Sequence, residues 1–343
     1  MDDALPPDLD LSHASDEAVR SLRWIRRPAA GEAAAEGGLI NLCFNAVDRH
    51  VVAGRSDEIA LISDERGRVR SWTWAHLLEE VAALAGALRL LGVAEGSTVP
   101  LLLPPGPDLV HAALATLRLG AVPHLLPADG SAERVGDELA ALAPPVLLAS
   151  AGTAWSSGLD RAAETGTEIG SVIVRAAPDA ASSLTEPRDL DWEFVVRAGR
   201  NDPAPCARVE AASPAYAVPA GAGWATPSVG TTALRCAAAA RSLQLTAGAV
   251  WWGPLPAASQ AGVELAVLAP LMAGAELVVA DVAGETDAGL GADTLLDHPV
   301  ARAHHVTAGA VAGPAAPEGA HGDSRQVVVA LPSGPRPASW PAS

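Results

Sequence analysis

Residues 71–126 read "SWTWAHLLEEVAALAGALRLLGVAEGSTVPLLLPPGPDLVHAALATLRLGAVPHLL", and this stretch decides the fold. Residues 74–91 carry apolar side chains at helical spacing, and Gly92 stands where a helix ends. "STVPLLL" is an apolar run of strand length. Residues 107–119 repeat the helical spacing and stop at Gly120, and "AVPHLL" is again strand-like. Further on, Ser131 is placed to cap a third helix reaching about Leu142, followed by the strand "PVLLAS". In the other direction, "EIALIS", a turn at Asp64–Gly67 and "RVRSWTW" predict a hairpin. The alternation implies an α/β fold, with mostly parallel sheets flanked by helices on both faces.

The pattern weakens over residues 151–212, where the strand "SVIVR" lies between polar, Pro-rich connections. After Tyr216 the alternation resumes. A helix within 231–244, the strand "AVWW", a helix near 260–271 and the strand "AELVVAD" follow in order. Residues 282–325 are rich in Gly, Ala and His and carry no clear period; "QVVVAL" is the last strand. Residues 1–38 read as a flexible N-terminal tail, with a single large domain over 39–343. There is no internal repeat.

Composition excludes several classes. The net charge is −17, so nucleic acid is not an expected partner. The 23 basic residues are all Arg, which removes Schiff-base chemistry, a lysine general base and a lysine clamp on phosphate. Cys43, Cys206 and Cys236 are far apart and give neither a disulfide framework nor a zinc spacing; buried or half-buried thiols are expected. The N-terminus lacks the apolar core of a signal peptide, and the apolar run Leu265–Ala275 is too short to span a bilayer. No membrane association and a cytoplasmic location are expected.

"INLCFNAVDRHV" and "DEIALIS", continued through residues 71–126, resemble the start of the large domain of acetate– and propionate–CoA ligases. These belong to the adenylate-forming, or AMP-binding, superfamily of acyl-CoA synthetases. That family has a "TY-x-EL" helix, "L-x-x-LGV-x-x-GD-x-V" and "A-x-LA-x-x-RLGAVHS". Farther along, "GAVWW", "LAPLMAGAELVVAD" and "VALPSGPRPASW" resemble its "GDVWW", "APLLAGAT-x-VLYEG" and "LGSVGEPINPEAW". The likeness touches most of residues 41–340 and is densest over 41–126. It implies an acyl-CoA synthetase-like large domain that is truncated, with the C-terminal lid domain and its adenylation lysine absent.

Against that resemblance, the stretch "AYAVPAGAGWATPSVG" (215–230) falls on the family's phosphate loop, roughly "Y-x-x-Y-TSGTTG-x-PKG" starting from Tyr216. The TSGTTG core lands on Ala220, Gly221, Ala222, Gly223, Trp224 and Ala225, and the lysine on Ser228. Such loops hold phosphate with converging backbone N–H groups, hydroxyls and a cation. Here the hydroxyls of the core and the ammonium are replaced. The region after "VWW" keeps only Gly262 of the family's "AASD-x-GW-x-x-GHSY". The family's "GEP" falls on Pro332, Ser333 and Gly334, and "VVFGGF" on Leu125–Gly130. Losing one preorganised electrostatic contact to a transition state costs roughly 3 kcal/mol, and several are missing together.

The expected function is therefore a degenerate AMP-forming acyl-CoA synthetase-like protein, a pseudoenzyme acting as scaffold or regulatory partner. Its partner would be an intact ligase or a biosynthetic enzyme. ATP, Mg and CoA are the family's cofactors and none is expected to serve here. The alternative is a split or repurposed acetate/propionate-type ligase, whose lid and catalytic lysine come from a second chain. Trp251 and Trp252 form a possible pocket wall with Gly262, although alternate strand faces packing into two helix layers explain the pair more simply. Trp224 either plugs the emptied cleft or lies on a surface loop. No catalytic residue and no metal ligand set stands out; adjacent His304 and His305 point to opposite faces of a strand.

Overall fold

In a computed structural model, residues 16–29, 31–65, 68–175, 184, 187–252, 257–280, 307–310 and 326–329 are described. The first elements are α1 (Asp16–Ser21), β1 (Trp24–Arg26), β2 (Leu39–Ile40), a π-helical turn Phe44–Asp48 and α2 (Arg49–Val52). Next come β3 (Ile59–Glu65), β4 (Arg68–Thr73), α3 (Trp74–Leu90), β5 (Thr98–Leu102), α4 (Pro107–Arg118) and β6 (Val122–Leu125). The chain continues with α5 (Ala132–Leu142), β7 (Val146–Ser150), α6 (Trp155–Glu164), β8 (Ser171–Arg175), β9 (Asp189–Asp191) and α7 (Trp192–Gly199). After these lie β10 (Val218–Ala220), β11 (Gly223–Ala225), α8 (Val229–Ser242), β12 (Val250–Trp252) and α9 (Gln260–Val263). A second π-helical turn, Glu264–Leu268, leads to α10 (Ala269–Ala273), β13 (Glu276–Ala280), β14 (Thr307–Ala310) and β15 (Gln326–Val329).

Two sheets organise these elements. The five-stranded sheet runs β6-β5-β7-β8-β9 and is parallel throughout. The six-stranded sheet runs β14-β15-β12-β13-β3-β4 and is parallel except for the β3–β4 hairpin. The side-chain period of two divides the first sheet between two cores. Leu101, Leu148 and Ile173 join the larger core with α3, α4 and α7. Leu102, Leu147, Val172 and Val174 join the smaller one, under α5 and α6. Strands buried on both faces must read as continuous apolar runs, which is how "PLLL" and "VLLA" read.

The helix ends follow from local chemistry. Thr73, Ser131 and Asp191 each accept a backbone N–H at the start of a helix, satisfying a donor the helix cannot. Gly86 and Gly199 let α3 approach α7 and the turn that follows it. A methyl at Gly199 would overlap the Ala83 carbonyl, and one at Gly86 the Asp202 carbonyl. A side chain at either site would force the helices apart.

Residues 16–38 differ from the expected tail. α1 buries Ala18, Leu22 lies just after it, and β1 pairs antiparallel with β2. A six-residue helix and a three-residue strand are too short to show a period in sequence. Residues 1–15 lie outside the described residues. The weakly patterned region 151–212 contains α6, β9 and α7 beside the expected β8. The helix expected near 260–271 is interrupted by the π-helical turn.

Candidate functional site

The segment leading to the family's phosphate-loop position is buried. Ala215, Tyr216, Ala217 and Val218 are all in the interior. Ala217 is pinned against β6, its N–H donating to the Pro123 carbonyl at 2.9 Å and its own carbonyl accepting from Leu125 N–H at 2.9 Å. β10 then turns back as β11, pairing Val218 with Ala225, Pro219 with Trp224 and Ala220 with Gly223. Gly221 makes the turn with a positive φ of 56°, a conformation that glycine adopts without strain. The tip, Ala220–Gly223, is exposed.

Trp224 anchors this hairpin. Its indole is half-buried and stacks on the His124 imidazole, with ring centroids 3.7 Å apart and planes tilted by 46°. The indole N–H donates to Glu138 Oε1 of α5 at 3.1 Å. His124 Nε2 is 3.9 Å from Glu138 Oε2, but burial lowers His124 to about 4. The imidazole is therefore neutral at pH 7, and the pair carries no ion-pair attraction. Ser228, onto which the resemblance lays the family's lysine, caps α8: its Oγ accepts Thr231 N–H at 3.1 Å and its hydroxyl lies 3.2 Å from the Ala35 carbonyl.

A second polar cluster lies behind the hairpin. The Tyr216 hydroxyl donates to Glu264 Oε1 at 2.6 Å. Arg235 Nη1 and Gln260 Nε2 approach the same oxygen at 3.4 Å each. Glu264 is wholly buried, and its Oε2 has no hydrogen-bond partner among the described residues. Burial raises the Glu264 carboxyl; burial, then the neighbouring Glu264, raises the Tyr216 hydroxyl. Arg235, the cation nearest the loop in sequence, thus points at a buried carboxyl. Sequence reasoning passed over Glu264, although an acidic residue inside the apolar run "AGVELAVLAPLMAG" is the available signal.

The other predicted site residues scatter. Trp251 is fully buried in the larger core, its indole N–H without a partner among the described residues, and the Trp252 side chain lies outside them. Gly262 lies in the first turn of α9, its N–H donating to the N-cap Ser259 Oγ at 3.0 Å. Pro332, Ser333, Gly334, His304 and His305 lie outside the described residues. The structure brings Trp224 and Tyr216 near sites of polar contact but does not gather Trp251 and Gly262 around the hairpin tip's side chains through any shared hydrogen bond among the described residues.

The hairpin offers limited chemistry. Ala220, Gly221, Ala222, Gly223 and Ala225 carry no polar side-chain atom, and the backbone of β10 and β11 is paired internally. An anion cradle needs several N–H groups left unpaired and convergent. Among the described residues no helix is long and apolar enough to cross a membrane.

Comparison with known proteins places the chain. A family model described as AMP-binding enzyme matches residues 48–310. An uncharacterised protein of Pseudomonas aeruginosa, PA3568, is 33% identical over 76% of this chain and 45% of its own length. An acetyl-coenzyme A synthetase of Streptomyces avermitilis is 34% identical over 52% of this chain and 28% of its own. Human acyl-CoA synthetase short-chain family member 3, mitochondrial, is 28% identical over 77% and 41% respectively. The chain thus spans less than half the length of these relatives. The crystal structure of a Brucella canis acyl-CoA synthetase superposes with a TM-score of 0.65 at 18% identity, covering 86% of this chain and 50% of that one. By its family match over most of its length, and with an acyl-CoA synthetase fold, the chain belongs to the AMP-binding enzyme family.

Proposed function

We propose that this protein is a degenerate member of its family that does not adenylate acids by itself and serves as a scaffold or regulatory partner. The partner is an intact ligase or another biosynthetic enzyme. One observation carries the reading: the segment at the phosphate-loop position is a self-paired hairpin of Ala and Gly, held down by the Trp224 indole on His124 and Glu138. Adenylation develops charge on the polyphosphate and the acyl-phosphate, and that charge needs fixed donors and cations. Ser228 stands at the lysine position with its hydroxyl committed to a helix cap.

The test is direct. The purified chain is mixed with ATP, Mg²⁺ and acetate or propionate, and pyrophosphate release is followed beside calorimetric titration with ATP–Mg. No release and no binding heat are expected. Pyrophosphate produced by the chain alone overturns the proposal. The split-ligase reading draws on the retained fold. Turnover that appears only when a second chain bearing a lid domain is added would establish it instead.

A further inference from the structure

Two of the three cysteines, far apart in sequence, meet in the fold. Cys43 stands at the head of the π-helical turn Phe44–Asp48, and Asp48 ends that turn. Arg118 closes α4. Cys206 lies in the irregular segment 203–209. The Cys43 and Cys206 sulfurs and an Asp48 carboxylate oxygen all lie within 4.8 Å of one another. Arg118 Nη1 donates to both Asp48 oxygens, at 2.8 and 3.0 Å, and to Cys43 Sγ at 3.8 Å. Its Nε donates to the Ala204 carbonyl at 2.6 Å, and Cys206 Sγ donates to Asp48 Oδ2 at 3.6 Å.

Two chemistries suit such a cluster, and charge separates them. A divalent cation would need both thiols deprotonated and Asp48 as a ligand. Asp48 is already held through both oxygens by a guanidinium, which would then sit buried beside the metal's own positive charge. A disulfide is neutral, consumes neutral thiols and leaves the Arg118–Asp48 pair intact. We propose that Cys43 and Cys206 form a redox pair, closing to an internal disulfide by exchange with a low-molecular-weight disulfide such as oxidised glutathione.

The partly exposed Cys206 reacts first. Its thiolate attacks one sulfur of the small disulfide, giving a mixed disulfide and one released thiolate. The Cys43 thiolate then attacks the Cys206 sulfur, forming the Cys43–Cys206 bond and releasing the second thiolate. Two protein thiols and one small disulfide become one protein disulfide and two small thiols, which take up both protons and both electrons. A groove of about 410 Å³ between α3 and residues 200–205 is lined by Arg118, Ala204 and Pro205, the residue before Cys206. The groove stops short of both sulfurs, and the partial exposure of Cys206 itself is what a small disulfide would meet. The sulfurs must close to about 2.0 Å, which takes a shift of the two side chains, since the backbone on either side of Cys206 is held at Ala204 and Ala207 by hydrogen bonds to Ala82 and Arg118. The hydrogen bond with Cys43, then burial, pushes the Cys206 thiol up, so exchange is slow at neutral pH. The charged and titratable groups facing it are Asp48, Arg118 and Cys43.

The experiment treats the full chain with oxidised glutathione and counts free thiols after denaturation. The count is expected to fall from three to one, with the mass lower by two hydrogens and a Cys43–Cys206 linked peptide on digestion. Dithiothreitol should restore all three thiols. C43S and C206S should each abolish the linkage, whereas C236S should leave it intact. The oxidised chain should melt several degrees higher, since the bond closes a long loop. Three free thiols after prolonged treatment, or a stable glutathione adduct on Cys206 with Cys43 free, would overturn the proposal. The mass and peptide readouts use the unaltered chain and do not depend on any variant folding.

Discussion

The five-stranded sheet and the β10–β11 hairpin respond to substitution in opposite ways. In the sheet, alternate side chains of one strand enter different cores, so Leu147 and Leu148 are both fully buried. Volume, shape and polarity are constrained at each such position. The hairpin has three paired positions, an exposed tip and one indole anchor. Replacing a hydroxyl or an ammonium at an exposed tip leaves the packed interior untouched. Stability therefore constrains the strands that carry the fold far more strictly than the β10–β11 hairpin.

That contrast can be broken at several points. Leu148→Ala in the sheet is expected to cost roughly 3–4 kcal/mol, read as a shift in the denaturant midpoint at unchanged slope. A loss below about 1 kcal/mol would mean that the sheet interior is not packed as described. Acidification comes next. Burial lowers His50 and His124 to about 4 and His111 to about 3, from 6.5. The folded state then binds fewer protons than the unfolded chain, so this stability is complete above pH 6.5 and is lost as pH falls toward those values. The loss should be about 2 kcal/mol per imidazole by pH 5. His124→Gln should remove about that much of the difference between pH 7 and pH 5. An unchanged pH slope in this variant would show that the imidazole is solvated and charged.

The hairpin should yield smaller effects. Trp224→Ala is expected to cost about 1 kcal/mol, the worth of one stacked ring and one hydrogen bond. It should also raise protease cleavage within 218–228. Unaltered stability and cleavage together would show that the indole does not fasten the hairpin. Ala222→Lys, at the exposed tip, should change stability by less than about 0.5 kcal/mol. It should leave ATP–Mg titration silent, because one ammonium does not supply convergent amides. Binding gained by this single change would show that the hairpin keeps a preformed cradle.

Much of the scaffold was legible because its signals are local. Ser131, Gly92 and Gly120 mark helix ends through bonds or backbone angles within a few residues. The stretches "VPLLL" and "VLLA" are apolar throughout because both faces are covered. The short elements α1 and β1 escaped notice, since their burial depends on residues far along the chain: α1 lies against α8, and β1 pairs with β2. α6 and α7 were hidden by the polar, Pro-rich segments around them. Glu264 was overlooked because the partners that make it notable, Tyr216 and Arg235, come from other elements.

The sequence by itself determined the α/β alternation and the family, because period, end signals and side-chain identity are properties of neighbouring residues. Only the tertiary structure decided where those side chains act. It set the Trp224 indole on His124, closed the Tyr216 hydroxyl onto a buried carboxyl and brought the Cys43 and Cys206 sulfurs beside one Asp48–Arg118 pair. Each of these contacts joins segments that chain geometry leaves independent, and burial of the two sheets' faces is what forces them together.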